Sequence, residues 1–271
     1  MITDQHNQNW TTSMFSWFGY FMPFSERIAA IADAGFDGVM LSWEDEEAPN
    51  FISRYDFPKL VRDAGLSITN FHAPFIGYSQ IWERSLEENR ELLDFLVRIL
   101  KDAADFDVPA VVVHTVDMEL GNYTFENGYA FFSELAAAGE RYGVDVAVEN
   151  VTRQFLLYEL LDRIQTPHFG YCYDTSHDYM LGCGSGRLIA AYPDRLKALH
   201  FSDNDKTVDR HWIPGEGFLP LTSILQTLDR MDWHTLSCEV IAPFWWQTRT
   251  PQEFCAAVQK GLKKLLRNPR E

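Results

Sequence analysis

Short runs of β-branched and aromatic residues alternate with longer amphipathic stretches along the whole chain. The runs at 14–20, 38–42, 67–72, 110–115, 145–150, 170–175, 196–202 and 235–241 read as strands. The stretches 25–34, 57–64, 86–106, 128–142, 155–164, 221–231 and 251–266 carry the helical period between them. Gly35, Gly65 and Gly143 stand where a helix C-cap should precede the next strand. The first run, Met14 onward, is apolar enough to be a buried helix start as well. Strand and helix in strict alternation predict a parallel sheet, and eight strands are the number that closes a (β/α)8 barrel. At 271 residues, with no low-complexity segment or linker, one barrel over 1–271 accounts for the chain.

In such a barrel the chemistry sits at the C-terminal ends of the strands, so the residues that close them carry the information. The third strand closes on His72, the fourth on His114, the fifth on Glu149, the sixth on Asp174, the seventh on His200 and the eighth on Glu239. If these six point inward, so do the residues two positions earlier. Those are Asn70, Val112, Ala147, Cys172, Ala198 and Ser237, all small or medium, while Val148, Tyr173, Leu199 and Phe201 would face the helices. Any one such histidine or carboxylate has an ordinary structural use. Several carboxylates converging on one mouth repel each other, and a divalent cation held by carboxylate and imidazole resolves the conflict most simply. His177, three residues beyond Asp174, and Asp209 and His211 in a later loop add candidates. His6, His168 and His234 are left as surface or pre-strand residues.

Charge narrows the partners. A net charge of −16 opposes a surface built for nucleic acid phosphates or anionic lipid. Four cysteines without CxxC spacing, an N-terminus lacking a basic and apolar leader, and the absence of any run of about 18 apolar residues point to a reduced, cytoplasmic protein without a membrane segment. Self-association to a homo-oligomer is left open.

At these residues the sequence resembles the xylose-isomerase-like TIM-barrel superfamily, which includes sugar isomerases and epimerases, inosose-processing enzymes and endonuclease IV. The resemblance runs from about Phe15 to Leu266. Its most specific pieces are His-Ala-Pro at 72–74, Ala-Val-Glu-Asn at 147–150, Tyr-Asp-Thr-Ser-His at 173–177, Leu-His-Phe-Ser-Asp at 199–203 and Asp-Arg-His-Trp-Ile-Pro-Gly-Glu-Gly at 209–217. The ketose 3-epimerase branch implies one metal on Glu149, Asp174, His200 and Glu239, with both glutamates also moving the proton and His177 binding substrate. Endonuclease IV implies three zinc ions, and His72, His114, Glu149, Asp174, His177, His200, Asp209, His211 and Glu239 are similar to its nine ligands. Manganese or zinc is the first expectation, cobalt or magnesium the next.

The loops expected at the rim separate these branches. Those at 42–50 and 115–122 are acidic, whereas duplex DNA carries a charge about every 1.7 Å and would be repelled. Aromatic residues expected there, Trp43, Phe75, Tyr78, Trp212, Phe218, Trp245 and Trp246, suit a small polyol whose CH face packs on rings. Lys206, Arg153, Arg187, Arg210 and Arg249 could each reach a phosphate, but no glycine-rich loop at a helix start singles one out; Gly-Cys-Gly-Ser-Gly at 182–186, the nearest approach, reads as a flexible loop. The preferred reading is a metal-dependent isomerase or epimerase of a sugar, sugar phosphate or cyclic polyol, with His72, His177, Arg210 and Trp43 contacting substrate. The alternatives are a zinc phosphodiesterase like endonuclease IV, an inosose dehydratase-like lyase, and a binding protein without turnover.

Overall fold

The computed structural model describes residues 10–180 and 186–267. His6, Cys183 and all of the 182–186 loop except Gly186 lie outside them. Eight parallel strands are joined by helices: β1 (Thr11–Phe15), α1 (Phe24–Asp33), β2 (Gly38–Ser42), α2 (Phe57–Asp63), β3 (Ser67–His72), α3 (Gln80–Glu83), α4 (Arg90–Asp105), β4 (Ala110–His114), α5 (Phe125–Tyr142), β5 (Asp145–Glu149), α6 (Gln154–Arg163), β6 (Phe169–Asp174), α7 (Thr175–Met180), α8 (Arg187–Ala191), β7 (Leu196–His200), α9 (Leu221–Arg230), β8 (Thr235–Cys238) and α10 (Pro251–Arg267). The sheet order is β7-β6-β5-β4-β3-β2-β1-β8. The Phe201 amide donates to the Ser237 carbonyl at 2.8 Å across the remaining gap, so a (β/α)8 barrel closes. No helix among the described residues is long and apolar enough to cross a membrane.

Alternation along the strands separates two cores. Val112, Ala147, Cys172 and Ala198 form a small cluster inside the barrel, while Val111, Val113, Val146, Val148, Tyr171, Tyr173 and Leu199 belong to the large core between sheet and helices. The inward and outward assignments made from the sequence therefore hold on these strands. Parallel register then sets the closing residues side by side, His114 against Glu149 and Asp174 against His200.

The strand expected over 235–241 ends at Cys238, so Glu239 follows it, the one expected to 202 ends at His200, and α5 starts at Phe125 rather than 128; two boundaries differ most. The first strand is Thr11–Phe15 rather than 14–20. The hydroxyl-rich start is a strand because its polar groups are matched: Thr12 binds Asp37 through both its amide and its hydroxyl, and Ser13 donates to Ser237 at 2.8 Å. The apolar residues that follow turn away at Gly19, whose φ of +91° and close approach to Ala242 suit only glycine. The 86–106 helix starts at Arg90: Ser85 and Glu88 bond each other's backbone amides around a separate turn, and the Asn89 side chain donates to the carbonyls of Gln80, Arg84 and Ser85 to hold it.

Candidate metal centre

The mouth of the barrel is built by the upper inward layer of side chains. Glu149, Asp174 and His200 are essentially fully buried there. One donor atom each from Glu149, Asp174, His200 and Glu239 lies within 4.8 Å of the others. His72 and His114 form a second such group with Glu149, and their Nε2 atoms stand 3.5 and 3.1 Å from Glu149 Oε2. His177 Nδ1 lies 2.9 Å from Glu149 Oε1, and its Nε2 lies 3.1 Å from Asp209 Oδ2. Asp209 is also 2.7 Å from His211 Nε2. All nine residues singled out from the sequence are thus linked in one network, whereas His168 and His234 pair with Asp145 and Asp229.

These groups are aimed but not satisfied. Asp174 Oδ2 and His200 Nε2 are buried without a hydrogen-bond partner, and Glu149 Oε2, His177 Nδ1 and His200 Nδ1 meet only charge partners, at 2.9–3.5 Å and without hydrogen-bond geometry. Leaving such groups unpaired costs free energy, and a divalent cation supplies the missing partner. The mixed carboxylate and imidazole donors fit manganese or zinc. His72 adds a specific cue: its Nδ1 lies 2.8 Å from the Ala73 carbonyl, which requires that nitrogen to donate and leaves Nε2 with its lone pair toward Glu149.

Electrostatics follow from the crowding. Burial, with Glu149, Asp209 and Glu239 beside it, outweighs the relief from His177, so the Asp174 carboxyl is pushed up to about 6. Burial works in the same direction on Glu149, yet the imidazoles of His200, His114 and His177 hold it well below the usual range. Burial opposes charge on His200 and His177, but the surrounding acids raise both. The raised His177 and His200 favour the protonated form opposite the carboxylates, whereas burial lowers His114, and metal binding would displace any such protons.

Residues that stand in the quoted motifs, but to which the sequence gave no role, hold this layer in place. The Asn150 side chain accepts from the Asp174 amide at 2.5 Å and donates to the Asp174 carbonyl at 3.0 Å, locking the turn that presents the carboxylate. Ser176 donates to Asp209 at 3.0 Å. Asp203, buried, accepts from the amides of Asn204, Gly215, Gly217 and Leu219 at 2.9–3.0 Å and so pins the loop carrying Asp209 and His211. His211 sits in that loop at a φ of +47°, a costly conformation for a non-glycine residue that only such anchoring sustains. The available signal was an acid just past a strand end, followed by Pro-Gly-Glu-Gly.

The expected substrate contacts divide. Trp43 is fully buried, stacked on Phe71 at 3.8 Å, with its indole nitrogen donating to Asp102. It shares the outward parity of Val39 and Leu41, so it packs between sheet and helices and has no face toward the mouth. Tyr78 and Trp246 are buried too. Phe75 does line the mouth, its ring 6.0 Å from that of His114 and roughly parallel to it, and Phe15 approaches His72 at 5.9 Å. The Arg210 guanidinium is held by Asp205 at 3.0 Å.

The sequence model of the family described as a xylose isomerase-like TIM barrel matches residues 28–259. The chain belongs to that family. A protein of Sinorhizobium fredii (strain NBRC 101917 / NGR234) known as uncharacterized protein y4fM is 26% identical over 263 residues, 83% of this chain and 78% of that protein. Among solved structures, an L-ribulose 3-epimerase has a TM-score of 0.76 at 13% identity, covering 96% of this chain and 95% of its own. The IOLI protein with a binding zinc atom also has a TM-score of 0.76, at 15% identity, covering 94% and 98%. At these identities the two structures carry the fold alone.

Proposed function

We propose that this xylose isomerase-like barrel is a metal-dependent isomerase or epimerase of a sugar or cyclic polyol, moving a proton beside a carbonyl through an enediolate. The carrying observation is the convergence of Glu149, Asp174, His200 and Glu239 within 4.8 Å, with three of the four presenting buried donors that lack hydrogen-bond partners. Likeness to an L-ribulose 3-epimerase and to a zinc-binding protein supports the reading.

A bound divalent ion would supply charge stabilisation for the oxygens of the enediolate. Glu149 and Glu239 come from strands on different sides of the mouth, so a substrate between them presents one face to each. One carboxylate takes the carbon-bound proton, for which it must come within roughly 3 Å. In epimerisation the other returns a proton to the opposite face; in isomerisation the proton returns to the adjacent carbon. His177 and His72 contact the hydroxyls, and Phe15 and Phe75 pack against the CH face.

The test is a panel of ketoses and inososes in deuterated solvent, with manganese, cobalt, magnesium and zinc supplied in turn. Deuterium is expected at a carbon next to the carbonyl, accompanied by an isomer or epimer. A dehydrated product would instead assign the lyase alternative, and metal-bound protein that labels and converts nothing would leave the binding-protein alternative.

The nine-residue network favours a second reading, a phosphodiesterase like endonuclease IV. Against it stand the acidic 42–50 and 115–122 loops and the net charge of −16. Duplex DNA carrying an abasic site is expected neither to bind at near-physiological salt nor to be incised. Salt-sensitive binding with strand cleavage that disappears in Glu149→Gln would establish the nuclease.

A further inference from the structure

Three cysteines lie among the described residues, and all are buried. A buried thiol ordinarily serves as a small apolar filler. Cys238 and Cys255 fit that use, because both belong to the large core between sheet and helices. Cys172 has other surroundings. It stands inside the barrel with Val112, Ala147 and Ala198, each of which, like Cys172, lies two positions before the residue that closes its strand. Alanine or valine suffices at the three other places, so packing alone asks for no sulfur here.

Register carries this thiol to the metal centre. Pairing of β5 with β6 sets Cys172 beside Glu149, just as pairing of β6 with β7 sets Asp174 beside His200. The Cys172 Sγ, one carboxylate oxygen of Glu149 and one ring nitrogen of His200 lie within 4.8 Å of one another. Glu149 and His200 are thus shared by two donor sets, one completed by Asp174 and Glu239 and the other by Cys172. His200 also has a nitrogen to spare. Its Nδ1 faces Glu239 and Glu149 at 2.9 and 3.4 Å, whereas Nε2 is buried without a hydrogen-bond partner. No other cysteine among the described residues belongs to such a group.

The two sets differ in kind. Three carboxylates with one imidazole make an oxygen-rich site that suits manganese or magnesium, whereas carboxylate, imidazole and thiolate together suit zinc or cadmium. Three protein donors with a position left open are also a common complement for zinc. Resting on the metal-dependent reading above, we propose that Cys172 is a ligand for thiophilic divalent cations, which are held on Glu149, Cys172 and His200. The thiol gives up its proton to solvent as the ion binds. Cys172 then sets which metals this centre prefers.

The metal-free protein is titrated with cadmium and, separately, with manganese, and calorimetry is read beside the ultraviolet charge-transfer absorption of a thiolate bound to cadmium. Wild-type protein is expected to show that absorption, and Cys172→Ser and Cys172→Ala to lack it. Both variants are expected to bind cadmium about tenfold or more weaker while manganese affinity stays as in wild type. Cys238→Ala, which changes a thiol outside the barrel interior, is expected to keep the absorption. A second measurement leaves Cys172 in place: X-ray absorption of zinc-loaded Cys183→Ser protein is expected to show a sulfur neighbour at about 2.3 Å. Cadmium bound without thiolate absorption, absorption that persists in both Cys172 variants, or zinc with only oxygen and nitrogen neighbours overturns the proposal. So does an equal loss of manganese in folded variants, because Cys172 would then support the centre as a whole. Thiolate coordination in a protein that converts no ketose with any metal would keep the proposal and remove the isomerase reading. Ketose conversion by the manganese form, with no sulfur at zinc or cadmium, would do the reverse.

Discussion

Replacing Asp174 or His200 by Ala will abolish metal binding and turnover while the barrel stays folded. Both side chains sit at the centre of the mouth, essentially without exposure, and each contributes a buried donor atom that no protein group satisfies. Removing either leaves three of the four donors, and the site is expected to weaken enough that metal is lost on dialysis. The barrel is held elsewhere, by the apolar layer between sheet and helices and by the β1–β8 and β6–β7 ladders. In the metal-free state both variants should still unfold cooperatively, His200→Ala at a lower temperature than wild-type protein because it removes the imidazole facing Glu149 and Glu239 and leaves a cavity. Metal stoichiometry by mass spectrometry and melting by circular dichroism check both halves. Wild-type metal content in both variants would remove the assignment of these ligands.

Glu149→Gln and Glu239→Gln are expected to separate acid–base chemistry from metal holding. Glutamine keeps the size and one oxygen donor but has no basicity, so turnover should fall far more than metal content. Loss of one general base costs about 10² to 10⁴ in rate. In an epimerase each single variant retains one working carboxylate, and substrate deuterium should still appear from the face it serves. Exchange without inversion is the signature of two bases on opposite faces. Both variants turning over at the wild-type rate with metal bound would show that neither glutamate is a base.

What the sequence revealed and what it hid have separate physical causes. His72, His114, Glu149, Asp174, His200 and Glu239 were legible because a parallel strand alternates its faces, and small residues such as Ala147 and Ala198 beneath them left one consistent register. Thr11–Phe15 was misplaced because local apolarity points to Trp17 and Phe18, whereas the strand is defined by hydroxyls paired with Asp37 and with Ser237, more than two hundred residues away. Trp43 was misassigned to the mouth because a residue just past a strand end looks like a loop residue, while its side chain keeps the outward parity of Leu41. The anchoring by Asn150 and Asp203 was hidden for another reason. It consists of side chain to backbone bonds, which depend on how loops fold back and leave no periodic mark.

The ladder between β1 and β8 pairs Thr11 with Thr235, and it has a temporal meaning. During synthesis β1 emerges first, but its second neighbour is made only when most of the chain is out. Until then the growing sheet has two open edges, β1 and the newest strand, whose backbone groups no neighbour covers. Contacts so distant along the chain are slow to form, so the nascent protein spends its assembly as an unclosed, association-prone arc. A chain cut short before residue 235 should accumulate as aggregate, and the full chain should depend on dilution or chaperoning to reach its closed ring.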